Sequence, residues 1–199
     1  MSADLAALIA REIEDSIAAK QKFMQDHSLV AQLVKLAQHC HDSLRAGGKV
    51  IFAGNGGSFA DAQHLSAEFV SRFRFDRAPL ASLALATNCS AISAIGNDYG
   101  YDQVFSRELE AVARPGDVFI PITTSGNSPN VLKAIEVARR LELRTVCLTG
   151  EIGGAAKEIC ECLLMPSRET ARIQECHILV GHIICGLVEN MYFKGERAQ

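Results

Sequence analysis

Five short apolar runs, at residues 49–53, 80–85, 118–122, 144–148 and 162–165, are each separated from the next by a stretch with helical periodicity. Strands that alternate with helices in this way pair in parallel and need helices on both faces, so the pattern predicts an α/β fold with a doubly wound, five-stranded parallel sheet. At 199 residues, 48% of them hydrophobic, the chain is long enough to bury one such core, and it is expected to be a single domain over 1–199. Residues 1–46 precede the first run and carry two amphipathic helical patterns, 5–24 and 29–44, ended by Ala46-Gly47-Gly48. They form an N-terminal helical extension of the same unit, expected to pack outside the sheet or against another subunit.

Ligands of such sheets bind beyond the carboxyl ends of the strands, and the unusual loops of this chain fall there. The first run ends in Gly54-Asn55-Gly56-Gly57-Ser58, and the third in Thr123-Thr124-Ser125-Gly126-Asn127-Ser128-Pro129. Each is an apolar strand, a Gly/Ser/Asn turn and a helix, a similarity that suggests a weak internal duplication. Ser128 stands where an N-cap is expected and Pro129 at the first helical position. A cap does not require Thr123, Thr124 and Ser125 as well, and this excess of hydroxyls suits a phosphate held at a helix N-terminus. Gly54 and Gly56 imitate the dinucleotide fingerprint, but Phe59 stands where a small residue is needed, and no acidic residue closes the second strand. No Gly-Lys-Ser/Thr follows either, so a P-loop is excluded.

Directly after the first loop come His64 and Glu68, four apart and hence on one helical face, suited to zinc or to proton transfer. A terminal helix over 171–192 carries Gln174, His177 and His182. His182 is the one basic or acidic side chain in the apolar run 178–188, which implies burial and a polar partner. Arg72, Arg74 and Arg77 read as a solvated turn from which one arginine reaches a phosphate or hydroxyl. His39 and His41 diverge on their helix and read as surface or structural residues. The polar and aromatic segment 96–102, with Asn97 and Asp98, reads as a loop able to meet sugar hydroxyls.

A net charge of −3 with dispersed arginines leaves no electrostatic footprint for nucleic acid. Seven cysteines, an odd number without a CxxC pair, read as reduced, buried residues of a cytosolic protein. The N-terminal segment lacks the apolar core of a signal peptide, and no stretch approaches the roughly 20 apolar residues of a membrane span.

Taken in order, Ala53-Gly54-Asn55-Gly56-Gly57-Ser58, Ala62-Gln63-His64 with Glu68, Ser71-Arg72-Phe73, Gly96-Asn97-Asp98-Tyr99-Gly100, Thr124-Ser125-Gly126-Asn127-Ser128 and Arg172-Ile173-Gln174-Glu175 with His177 and His182 resemble the phosphoheptose isomerase branch of the sugar isomerase (SIS) fold, a flavodoxin-like three-layer sandwich. The resemblance implies conversion of sedoheptulose 7-phosphate to D-glycero-D-manno-heptose 7-phosphate, the first step towards nucleotide-activated heptoses of lipopolysaccharide or other surface glycans. It also implies a cytoplasmic homotetramer with active sites at subunit interfaces. By similarity Ser58, Thr123, Ser125 and Ser128 hold phosphate, and Asn55, Gly56, Gly57, Arg72, Asn97, Asp98, Thr124 and Gln174 lie on phosphate or sugar. Glu68 and His182 are then the catalytic pair, and zinc is held by His64, Glu68, Gln174 and His182. Eight residues separate Gln174 from His182, about 12 Å on a regular helix, so sharing a metal requires converging side chains or an irregular helix start. Thr123 replaces a common serine and Ala171 an aspartate found in some relatives. A non-catalytic SIS module that binds a sugar phosphate and acts on a protein partner, and an isomerase of another phosphosugar, are the competing readings.

Overall fold

The computed structural model describes residues 2–194. The apolar runs are strands: β1 (Val50–Gly54), β2 (Ser82–Ala84), β3 (Val118–Ile122), β4 (Arg144–Gly150) and β5 (Glu161–Met165). All pair in parallel in the order β2-β1-β3-β4-β5. The edge strand β2 is shorter than its apolar run because the Leu80 N–H bonds the Phe69 carbonyl instead of a ladder partner.

Side chains alternate across the sheet with the period-two pleat. Val50, Phe52, Val118, Ile120, Ile122 and Leu148 point into one core, filled from the other side by α2 (His27–Arg45), α3 (Gly57–Val70) and α8 (Thr170–Tyr192). Ile51, Ala53, Phe119 and Cys147 point into a second core, closed by α5 (Val104–Val112), α6 (Pro129–Arg140) and α7 (Ala156–Ile159). The result is the expected three-layer sandwich.

Ahead of the sheet, α1 (Ser2–Gln25) is separated from α2 by Asp26, whose carboxylate accepts from the N–H groups of Ser28 and Leu29 at 2.9 and 3.1 Å. Only the second half of α1 docks. Ala19 and Phe23 enter the first core, while Arg172 of α8 reaches the Glu12 carbonyl and pairs with Glu175, which itself pairs with Lys20. Part of the Arg172–Glu175 motif is therefore spent on tying the extension to the sandwich.

Two sequence expectations are corrected. Segment 96–102 is not a loop but the end of α4 (Cys89–Tyr99) followed by a 3₁₀ turn (Tyr101–Gln103). Asn88 caps α4 by accepting from Ser90 and Ala91; Ile92 and Ile95 pack against the second core, but none of its residues is fully buried and its C-terminal end is polar, so that end resembles a loop in sequence. In addition, α8 is long and apolar enough to cross a membrane by length and composition, but 56% of that window is buried within the fold, as in a core helix.

Candidate active site

The strand order reverses direction between β1 and β3, and a crevice opens at such a switch point beyond the strand ends. Both glycine-containing loops lead into it. After β1 the chain turns at Gly56, whose φ of +55° suits glycine, and α3 begins at once with Ser58 buried in its first turn. After β3, Ser128 occupies the N-cap position of α6 with Pro129 next, as expected. Its hydroxyl does not cap, however, but faces the buried Thr123 hydroxyl at 3.2 Å. Two hydroxyls and two helix N-termini converge here, a setting that favours an anion.

The loops are fastened by residues of the two turns themselves together with Asn130, which the sequence did not single out. Asn55 and Asn130 exchange amide hydrogen bonds of 2.9 and 2.8 Å across the switch point, and the Tyr101 hydroxyl donates to the Asn55 side-chain oxygen at 3.3 Å. Asn127 accepts from the Ala155 N–H, and Ser125 accepts from the Asn127 N–H. Beside this loop lies a cavity of about 250 Å³ lined by Thr124, Ser125, Glu151, Ser167 and Arg168 among others.

Two turns along α3, His64 and Glu68 project towards α8. The approach is close because Gly181 faces Leu65, where a Cβ would come within 2.4 Å of the leucine side chain. His182, next in sequence, thereby comes to 2.8 Å from His64 between their Nε2 atoms, and His64 Nε2 lies 3.3 Å from Glu68 Oε1. Among the described residues this is the only group of three histidine, cysteine or acidic side chains whose donor atoms all lie within 4.8 Å of one another. Two imidazoles and a carboxylate so gathered fit zinc in number and type. His182 is half-buried rather than buried, because its ring leaves the apolar run to face His64 and stack on Phe73 at 5.5 Å and 14°. Burial lowers its pKa, as does the neighbouring His64, with Glu68 opposing, which favours the neutral ring that a metal ligand or proton acceptor requires.

A buried ion pair sets the position of both helices. Arg77 is not solvated as expected: its guanidinium donates to Glu189 of α8 at 3.0 Å, both side chains being at most 2% exposed. It also donates to the carbonyls of Glu68 and Phe69 at 2.7 Å, while Glu189 accepts from the N–H groups of Phe73 and Arg74 at 3.0 Å. The end of α3, the Phe73 segment and α8 are thus bound into one unit.

Not every expected residue joins this cluster. Helix α8 is regular from Thr170, and Gln174 lies against Gly57, where a Cβ would meet its amide at 2.6 Å. That is about 10 Å along α3 from His64, towards the phosphate loop. Arg72 is exposed, and Asn97 and Asp98 bond each other at 2.8 Å on an open recess of their own with Ser90 and Ser93. His177 is the buried histidine of α8, completely covered. Of the cysteines, all free, Cys89 departs from expectation by being exposed, and Cys160 and Cys162 are half-buried.

Comparison with known proteins agrees with this geometry. The SIS domain model matches residues 13–150. The chain is 48% identical to a phosphoheptose isomerase of Aneurinibacillus thermoaerophilus over 94% of its own length and 96% of the relative's. Phosphoheptose isomerase 2 of Campylobacter jejuni is 47% identical over 96% and 95% of the two chains. The solved structure of phosphoheptose isomerase GmhA from Neisseria gonorrhoeae superposes with a TM-score of 0.87 at 40% identity, covering 94% of this chain and 99% of that one. The chain therefore belongs to the SIS-domain family and, within it, to the phosphoheptose isomerases.

Proposed function

We propose that this protein isomerises sedoheptulose 7-phosphate to D-glycero-D-manno-heptose 7-phosphate through a cis-enediol, feeding heptose into lipopolysaccharide or another surface glycan. The observation that carries the reading is the gathering of His64, Glu68 and His182 within 4.8 Å beside a hydroxyl-rich anion crevice. The phosphate docks among Ser58, Thr123, Ser125 and Ser128, at the N-termini of α3 and α6, with Asn55, Gly56, Gly57 and Thr124 around it. Glu68 takes the proton from C1 and returns it to C2, the work of a positioned carboxylate. His182 serves ring opening and moves protons between O1 and O2, for which its neutral imidazole is suited.

His64, Glu68 and His182 would hold zinc, which when bound supplies Lewis-acid polarisation of the sugar carbonyl. Gln174, held against Gly57, meets the phosphate end of the sugar in its own chain and completes a metal shell only if it is brought there by a neighbouring copy. Arg72, Asn97 and Asp98 stand exposed, and we assign them to substrate contacts completed by a neighbouring subunit. We further propose a cytoplasmic homotetramer with its active sites at subunit interfaces. Unpaired thiols support the compartment, and an exposed apolar face on α1 supports the assembly.

The test follows sedoheptulose 7-phosphate by NMR in deuterated water. Wild type is expected to generate aldose signals, with deuterium entering at C2, and Glu68→Gln is expected to lose both. Protein freed of zinc loses turnover if the ion is catalytic. Failure of zinc-loaded wild type to turn over this sugar would return the assignment to another phosphosugar or to a sensor.

A further inference from the structure

A histidine that binds a metal or moves protons is commonly aimed through its second ring nitrogen, which donates to a carboxylate or a backbone carbonyl. His182 turns Nε2 to His64 at 2.8 Å, but among the described residues its Nδ1 has no hydrogen-bond partner in the protein. What meets the imidazole instead is a ring. Phe73 stacks on it with centroids 5.5 Å apart and planes 14° from parallel, while His64 touches it edge-on at 5.0 Å and 71°.

Phe73 is itself firmly placed. Its N–H and that of Arg74 donate to the two carboxylate oxygens of Glu189, each at 3.0 Å, and Glu189 is fixed in turn by the buried Arg77. Arg74 lays its guanidinium against α8 at Gly186, where a Cβ would come within 3.2 Å of it, and over the Phe73 ring at 5.5 Å. The Phe73 side chain also packs against the first core. Residues 73–77 therefore form a strap anchored on α8 one to two turns beyond His182, and Phe73 is the ring that this strap presents to the imidazole. The last torsion of a histidine side chain is broad by itself. A partner on the face of the ring narrows it without occupying either nitrogen.

We propose that Phe73 is the positioning residue of His182: its ring, held by the strap, sets the imidazole plane so that Nε2 points into the His64 and Glu68 cluster while Nδ1 stays free to exchange protons. An orienting hydrogen bond at Nδ1 would lock one tautomer, whereas a stacked phenyl ring leaves both open. The role rests on the reading of His182 as a catalytic and metal-binding residue, but the stack itself can be measured without turnover.

The experiment compares the full-length wild type with Phe73→Leu, which keeps an apolar side chain, and Phe73→Tyr, which keeps the ring. In zinc-free protein the ring-proton NMR signals of His182, assigned by their disappearance in His182→Gln, should lie upfield in wild type and Phe73→Tyr and return towards the free-histidine position in Phe73→Leu. Zinc affinity should fall by about two- to tenfold in Phe73→Leu, the range that an aromatic pair is worth, and recover in Phe73→Tyr. Turnover of sedoheptulose 7-phosphate should lose kcat to a similar extent with KM unchanged. An unshifted imidazole in wild type, or one indifferent to Phe73→Leu, would overturn the proposal, as would a displaced imidazole with zinc affinity and kcat both at the wild-type level. A wild type that binds zinc but leaves the sugar unchanged counts against the isomerase reading alone, and the NMR and zinc measurements then decide the role of Phe73.

Discussion

His177 is completely buried in α8, and neither ring nitrogen has a hydrogen-bond partner meeting normal geometry; desolvation pushes its pKa down to about 4, with the Thr149 backbone opposing but not cancelling it. In the unfolded chain the same imidazole titrates near its ordinary value of 6.5. Between those values the unfolded state holds more protons, so stability must fall as pH is lowered through this window and is unaffected by this group above it. The shift corresponds to about 3 kcal/mol at full development. Urea midpoints measured at neutral and mildly acidic pH should show this loss, and His177→Gln, whatever its own cost, should flatten the slope. The histidine proposed to act in the chemistry is the other one: His182 escapes the apolar run towards His64 and stacks on Phe73. Spacing made the His64 and Glu68 pairing legible, because residues four apart share a helical face wherever the helix goes. Phe73 and Asn130 carried no such local mark, since their partners lie far along the chain.

At the scale of elements, the site exists because α3 and α8 are held in one register. The Arg77 to Glu189 pair, 112 residues apart in sequence, closes the end of α3 onto α8 in a nearly dry setting. Removing one partner strands the other charge, which costs about 3–5 kcal/mol. Glu189→Gln is therefore expected to lower the thermal midpoint sharply and, below it, to reduce kcat through the displaced Phe73 segment; an unchanged midpoint would contradict the clamp. The arginine-rich turn looked solvated in the sequence because burial of a charge is decided by the partner that arrives, and Glu189 is far away in the chain. In α4 the opposite occurred: the polar C-terminal end of a helix that packs only through half-buried Ile92 and Ile95 resembled a loop in composition.

For the whole molecule, the unspent surface is on α1, where Leu5, Leu8, Ile9, Ile13 and Ile17 are each between 49% and 61% exposed. Steps of three and four place them on one face, a contiguous apolar stripe of the kind that marks an interface. Replacing Ile9 and Ile13 together by glutamate should reduce the particle mass in light scattering towards that of a smaller assembly. Activity should fall with it, since the proposed sites draw on a neighbouring copy; a full-sized, fully active variant would remove α1 from the interface. The sheet, its helices apart from the end of α4, and the two glycine-containing turns were determined by the sequence alone, because strand runs, helical spacing and glycine turns are local patterns. Which loops adjoin was decided only by the strand order, which sets β1 beside β3 and joins Asn55 to Asn130. Which of the candidate ligands converge was likewise a tertiary decision: the close packing at Gly181 brings His182 to His64 and Glu68, while the regular rise of α8 carries Gln174 away towards Gly57.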